Sequence, residues 1–343
     1  MLYKLKDIFD LQMGKTPSRN NIEYWNTNDY KWVSIADLTK TDKYIYDTKE
    51  YLSKKAVNES GIKIIPANTV IMSFKLSIGK TAITAEDMYS NEAIMAFHDK
   101  HIVEILPEYI FYLFKYKNWD DGSNKAVMGK TLNKATLSEV EIDICSIEEQ
   151  RKIVNVLDKI MNLISARKKE LSYLDTFTKA RFVELFGDPI RNTQNRPTTE
   201  FINVVKMQRG FDLPVQDRQQ DGEIPVFGSN GALDYHNVAK IHGGVITGRS
   251  GTIGKVFYTE GDFWPLNTSL FSADTHGNNV IYLGYLLQLF DLTRFVEGTG
   301  VPTLNRNMFH NKQIIDVPID EQRQFAEFVK QIDKSKLKKF SAA

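Results

Sequence analysis

Ile147-Glu148-Glu149-Gln150-Arg151-Lys152-Ile153 returns 172 residues later as Ile319-Asp320-Glu321-Gln322-Arg323-Gln324-Phe325, and this match decides the organisation of the chain. The same offset relates Leu132-Asn133 to Leu304-Asn305. Further back, Val70-Ile71-Met72 followed by Ser77-Ile78-Gly79-Lys80 pairs with Val245-Ile246-Thr247 followed by Thr252-Ile253-Gly254-Lys255. Asn91 pairs with Asn267, and Met13-Gly14 with Arg209-Gly210. The order is kept while the offset drifts slightly, as loop insertions would make it. A period this long is a duplicated domain with an appendage, not a solenoid unit.

Each copy has a mainly β body. Short apolar runs (Trp32 to Ile35, Val70 to Phe74, Thr81 to Thr84, Ile94 to Phe97) alternate with turn residues, and Pro225 to Phe227, Val245 to Thr247, Lys255 to Tyr258 and Ser269 to Phe271 mirror them. A helix follows in each, from Pro107 to Phe114 and from Val280 to Leu287. The appendage differs in kind. From Glu148 to Phe186 there is neither Gly nor Pro, and Ile153, Leu157, Ile160, Ile164, Leu171 and Leu174 fall on a 3.5-residue repeat. A helix of that length spans roughly 55 Å. Gly187-Asp188-Pro189 stops it. The second copy repeats the phase with Phe325, Val329 and Ile332, after which Lys336 and Lys339 occupy the next seam positions. The fold class is therefore α+β: two tandem β-rich bodies, residues 1–147 and 196–318, separated by spacer helices at 148–187 and 319–343, with a linker at 188–195. Two narrow apolar stripes are expected to pair as an antiparallel coiled coil, and a charge at Ile160 is expected to open it.

In a chain of 343 residues, 44 basic side chains against 43 acidic ones leave a net charge of +1, which removes a polybasic tail but not local basic patches. Cys145 is the sole cysteine, so no intrachain disulfide or cysteine metal cage can form, which fits a reducing compartment. No signal-like apolar core opens the chain and no run reaches about 18 apolar residues, so a cytoplasmic protein with no membrane partner is expected.

Motifs for chemistry fail one by one. Gly79-Lys80-Thr81 suggests a phosphate loop, but Phe74 stands where its first glycine belongs. In the second copy Arg249 stands there, Val256 follows Lys255, and the segment enters a strand. No Asn-Pro-Pro-aromatic or Asp-Pro-Pro-aromatic signature of an amino-methyltransferase and no G-x-S-x-G elbow occur. His98 and His101 lack cysteine neighbours and read as turn histidines, Asp120-Asp121 reads as a solvated loop, and no metal site is predicted. What survives is a set of basic, amide and hydroxyl residues on turns: Lys15, Thr16, Ser18, Arg19, Lys75, Ser77, Lys80, Lys130, Asn133 and Lys134 in the first copy, and Arg209, Asn230, Arg249, Ser250, Lys255, Asn305 and Arg306 in the second. Arg and Lys reach guanine edges or phosphates, and Asn reads adenine. Each residue singly is better explained as a solvated loop charge or a turn-stabilising residue; repetition of the set in both bodies is the stronger sign.

The two bodies, each followed by a helix opening on Glu149-Gln150-Arg151 or Glu321-Gln322-Arg323, together with the paired Ile-Gly-Lys turns and the run Arg181-Phe182-Val183-Glu184-Leu185-Phe186-Gly187-Asp188-Pro189, resemble the specificity subunit of type I restriction-modification enzymes. Gly210-Phe211-Asp212-Leu213-Pro214, Gly228-Ser229-Asn230-Gly231 and Gly248-Arg249-Ser250-Gly251 are similar to stretches of that family's target recognition domains. The resemblance covers almost the whole chain. It implies that each body reads one half of a split double-stranded DNA site, and that the helices set the spacing and dock two methyltransferase subunits. Restriction subunits would join through those partners. S-adenosylmethionine, ATP and magnesium would belong to the partners, leaving this chain without cofactor or catalytic residue. One departure is the second helix, which stops at the counterpart of residue 171. A stand-alone DNA-binding or regulatory protein is the alternative, and a cryptic nuclease a further one.

Overall fold

The computed structural model describes residues 1–25, 27–75, 77–119, 132–219, 221–298 and 302–338, and the chain divides into two compact units, Met1–Ser165 and Ala166–Ala343. In the first unit the chain runs through β1 (Leu2–Lys4), α1 (Leu5–Ile8), β2 (Phe9–Met13), β3 (Tyr30–Val33), α2 (Ile35–Lys40), β4 (Tyr44–Ile45), β5 (Glu50–Leu52), α3 (Lys54–Ser60) and β6 (Val70–Ser73). It continues with β7 (Thr81–Thr84), β8 (Tyr89–Ser90), β9 (Ile94–Asp99), α4 (Pro107–Tyr116), α5 (Lys134–Ser138) and β10 (Glu141–Asp143). The sheet order is β2-β9-β6-β7-β4, a second sheet is β5-β3-β8, and β1 pairs with β10. The Trp32 strand ends earlier than the apolar run suggests. Ser34 caps α2 in a reciprocal box with Asp37, which pulls Ile35 into the helix.

α6 (Ile147–Phe186) runs out of the first unit into the second. There the chain forms β11 (Thr198–Glu200), α7 (Phe201–Val204), β12 (Lys206–Arg209), β13 (Ile224–Gly228), β14 (Gly231–His236), β15 (Ile241–Gly248), β16 (Val256–Pro265) and β17 (Ser269–Asp274). α8 (Val280–Phe290), β18 (Val296–Glu297), β19 (Thr303–Leu304), β20 (Gln313–Ile315) and α9 (Ile319–Lys338) complete it. The sheet order is β12-β17-β15-β16-β13-β14, and β11 pairs with β20. The run β12-β17-β15-β16 therefore repeats β2-β9-β6-β7 strand for strand, each sheet carrying its helix, α4 or α8. The duplicated sequence is a duplicated topology.

The repeated Gln explains why the duplicated heptapeptide is kept at the start of each long helix. Gln150 is fully buried. Its Oε1 accepts the Leu106 N–H at 2.9 Å, and its Nε2 donates to the carbonyls of Glu104 and Cys145, both at 2.9 Å. Gln322 does the same in the second unit, accepting from Asn279 N–H at 2.9 Å and donating to the Val317 carbonyl at 2.8 Å and Asn278 Oδ1 at 2.6 Å. Each thus fastens the helix start to the segment leading into α4 or α8, filling polar groups that burial would leave unpaired.

The two halves of α6 have different surroundings. In the first unit Ile153, Val154, Leu157 and Met161 pack on the core of the body, and the Asp158 carboxylate takes Lys43 at 2.7 Å and the Tyr112 hydroxyl. In the second unit α6 and α9 run antiparallel: Phe186 and Phe182 meet Phe325, Phe177 meets Phe328, and Asp175 meets Lys336 at 2.8 Å. Phe325 and Val329 are fully buried there, and Leu171, Leu174 and Ile332 are half-buried. Lys336, at a seam position, is held by Asp175 and Asp333. The expected seam is corrected in its middle. Ile160 and Ile164 are 45% and 43% exposed, while Ile153 and Leu157 pack on the first body rather than on a second helix. A 3.5-residue period marks which face of a helix is apolar; it does not say what covers that face.

Candidate nucleic-acid interface

In the second unit the turns carrying the expected residues are drawn together by backbone hydrogen bonds at one end of the sheet. β12 ends at Arg209, after which Gly210 N–H donates to the Ser269 carbonyl at 3.1 Å and Phe211 N–H to Pro265 at 2.8 Å. Arg209 also faces Asp212 at 3.9 Å. Gly210 must be glycine, since a Cβ would lie 2.3 Å from the Leu266 carbonyl oxygen. From the end of β15, the N–H groups of Arg249 and Ser250 both reach the Thr268 carbonyl, at 2.9 and 3.2 Å. The Leu304 N–H donates to the Arg249 carbonyl at 2.8 Å, which brings Asn305 and Arg306 alongside. Lys255 Nζ donates to Asn230 Oδ1 at 2.7 Å, joining the β15–β16 turn to the β13–β14 turn. Arg209, Asn230, Arg249, Ser250, Lys255, Asn305 and Arg306 thus share one region.

The first unit gathers its residues at the equivalent sheet end. Gly14 N–H donates to Ile94 at 3.0 Å and Lys15 N–H to Ser90 at 2.8 Å, and a Cβ on Gly14 would fall 2.2 Å from the Asn91 carbonyl oxygen, as at Gly210. Phe74 N–H donates to Ala93 at 3.0 Å, which places Lys75, Ser77 and Lys80 beside the Ser90–Glu92 turn. Several of these side chains already have partners. Lys15 Nζ donates to the Ser60 carbonyl, Thr16 Oγ1 donates to Glu92, and Lys75 lies over Phe74 at 5.2 Å. The Ser18 carbonyl accepts Trp25 Nε1 at 3.1 Å. Arg19 forks onto Glu50 and stacks over Trp25 at 3.8 Å and Trp32 at 4.9 Å, a clamp between the start of the chain and β5. Asn133 is spent as the N-cap of α5, in a box with Thr136, and Lys134 opens that helix. No hydrogen bond among the described residues joins those two to the β6–β7 turn. Lys130 and Asp120-Asp121 lie outside the described residues.

The histidines sit elsewhere. His101 is exposed in a turn at φ 57°, while His98 lines a cavity of about 300 Å³ with Phe9, Val70, Phe97 and Ile110, at the other end of β9. Burial holds the His98 imidazole below the ordinary histidine range. Among the described residues no three His, Cys, Asp or Glu side chains are gathered so as to hold a metal ion, and no helix is long and apolar enough to cross a membrane.

Residues 1–173 and 192–340 match the family model described as the type I restriction modification DNA specificity domain, one match for each body with its helix. The chain belongs to that family. It is a specificity subunit, the DNA-recognition component of a type I restriction-modification system. It is 24% identical over 358 residues to the EcoprrI specificity subunit of Escherichia coli, covering 96% of this chain and 86% of that relative. It is 33% identical over 198 residues to the MjaIX specificity subunit of Methanocaldococcus jannaschii, a match over 56% of this chain but only 45% of that relative. Among solved structures, the type I S subunit from M. genitalium superposes with a TM-score of 0.57 at 15% identity, covering 100% of this chain and 92% of that one. A chain from a study of type I complex assembly gives a TM-score of 0.55 at 14% identity, with the same coverages. These structural likenesses establish the fold. Sequence reading of this specificity subunit missed the Arg19 clamp and the Gln150 and Gln322 fasteners. The repeated Glu-Gln-Arg, with its one uncharged member, was the signal available for the fasteners.

Proposed function

We propose that this specificity subunit reads a bipartite double-stranded DNA site, one body per half-site, and carries no catalytic group of its own. The observation behind this reading is that two bodies of the same strand order each gather basic and amide turn residues at the equivalent sheet end. Such side chains position a duplex through phosphates and read base edges in the major groove. The α6 and α9 helices scaffold two methyltransferase subunits, which bring S-adenosylmethionine and take the target adenine out of the stack. Restriction subunits, with ATP and magnesium, join through those partners. The whole assembly works in the cytoplasm.

The test is a genome-wide map of methylated adenines in cells carrying this chain with its methyltransferase, against cells lacking only this chain. The reading predicts loss of one motif made of two short specific blocks around an unspecified gap. Identical maps would contradict it. Tight, site-specific DNA binding by the purified chain, with no methyltransferase co-purifying, would favour the stand-alone binder. Divalent-dependent cutting by the purified chain would show a nuclease.

A further inference from the structure

The turn between β15 and β16 is open where its counterpart between β6 and β7 is closed. Both end in Ile-Gly-Lys with a left-handed glycine, Gly79 at φ 85° and Gly254 at φ 94°. In the first body Ser73 closes the turn: its carbonyl accepts the Gly79 N–H at 2.9 Å and its hydroxyl accepts the Lys80 N–H at 3.0 Å. The second body has Gly248 at that position, with no hydroxyl to offer. The turn folds down onto it instead, so that a Cβ on Gly248 would fall 1.8 Å from the Thr252 carbonyl oxygen.

The amide N–H groups of Thr252, Ile253 and Gly254 consequently donate to no acceptor among the described residues, while the chain just before them is held by the antiparallel bridge between Ser250 and Thr303. Gly251 is also left-handed, at φ 82°. Consecutive amides around left-handed residues form a concave anion site. Arg249 stands at its entrance. The Arg249 backbone is fixed through Thr268 and Leu304, yet its half-buried guanidinium has no hydrogen bond or ion pair among the described residues. Lys255 stands at the exit, its ammonium on Asn230.

We propose that Arg249 and the Thr252–Lys255 turn grip a DNA backbone phosphate, anchoring the second body independently of base sequence. This rests on the DNA-recognition reading above. Several amides with two flanking cations suit the oxygens of a phosphate, whereas a base edge presents one or two acceptors in a plane. A turn whose Ile-Gly-Lys frame is common to both bodies is also poorly placed to make two half-sites differ. A nucleotide is not the occupant this turn suits, because it leads into β16 and not into the helix that a nucleotide loop requires.

The test uses the assembled methyltransferase complex containing this chain, its methylated duplex and duplexes altered at single base pairs, over a salt series. Arg249→Gln and Lys255→Gln should each weaken all duplexes by a common factor and lower the slope of log affinity against log salt by about one. The methylated motif should stay the same, and Arg249→Lys should recover the slope. Relaxed preference at one base pair in Arg249→Gln would make it a base reader and overturn the anchor, as would unchanged affinity and slope. Absence of any site preference in the unmodified complex would instead overturn the DNA-recognition reading.

Discussion

At the scale of single residues, Gln150 and Gln322 show how one polar side chain can hold a helix in place. Removing the amide of Gln322 takes a partner from the Asn279 N–H, the Val317 carbonyl and Asn278 Oδ1 in a part-buried to buried setting. Gln322→Leu should therefore cost about 1–3 kcal/mol, read from the urea midpoint of the purified chain; an unshifted midpoint would deny the fastening role. His310 makes a prediction about pH. Its Nε2 accepts the Met207 N–H at 3.2 Å, and burial, then Arg306 and Lys206, hold the imidazole below its ordinary value. A depressed folded pKa means that the unfolded chain takes up the proton first as pH falls. The stabilisation is whole above about pH 6.5 and is lost as pH drops below that value and on through the lower folded pKa. His310→Gln, which does not titrate, should flatten the decline of melting temperature between neutral and mildly acidic pH. It should not abolish the decline, because His98 shifts the same way. An equally steep decline in the variant would contradict the assignment.

At the scale of elements, α6 is one helix with two kinds of support. In the second unit Phe325 touches Phe182, Phe186, Tyr285 and Phe328. Phe325→Ala should cost about 3–5 kcal/mol in a denaturation experiment. Ile160→Lys, at an exposed site, should change stability by no more than about 0.5 kcal/mol. If the exposed apolar face is where a methyltransferase docks, the same change should weaken co-purification of that subunit. A large loss of stability in Ile160→Lys would restore the continuous seam. The sequence made the period of α6, the breaker at Gly187 and the main strands legible, because these depend on local spacing and turn chemistry. It did not reveal β1 with β10 or β11 with β20, three-residue strands whose pairing depends on distant partners. Nor could it reveal that Arg19 is taken by Glu50, Trp25 and Trp32, since a basic turn residue reads alike whether it is clamped or free.

At the scale of the whole molecule, the duplication is the feature on which the proposed two-reader function rests. Sheet order, the close glycine at Gly14 and Gly210 and the buried Gln are common to both units, and β14-β13-β16 repeats the pairing of β5-β3-β8, whereas the connections differ: α2 and β4 lie between β3 and β5, and a short turn joins β13 to β14. Common framework with divergent loops is what two readers of different half-sites need. The most direct measurement replaces residues 196–318 with the corresponding body of another specificity subunit and maps adenine methylation in cells carrying the exchanged chain with its methyltransferase. One body per half-site predicts a motif in which one block changes and the other is kept. A change in both blocks, or in neither, would contradict it.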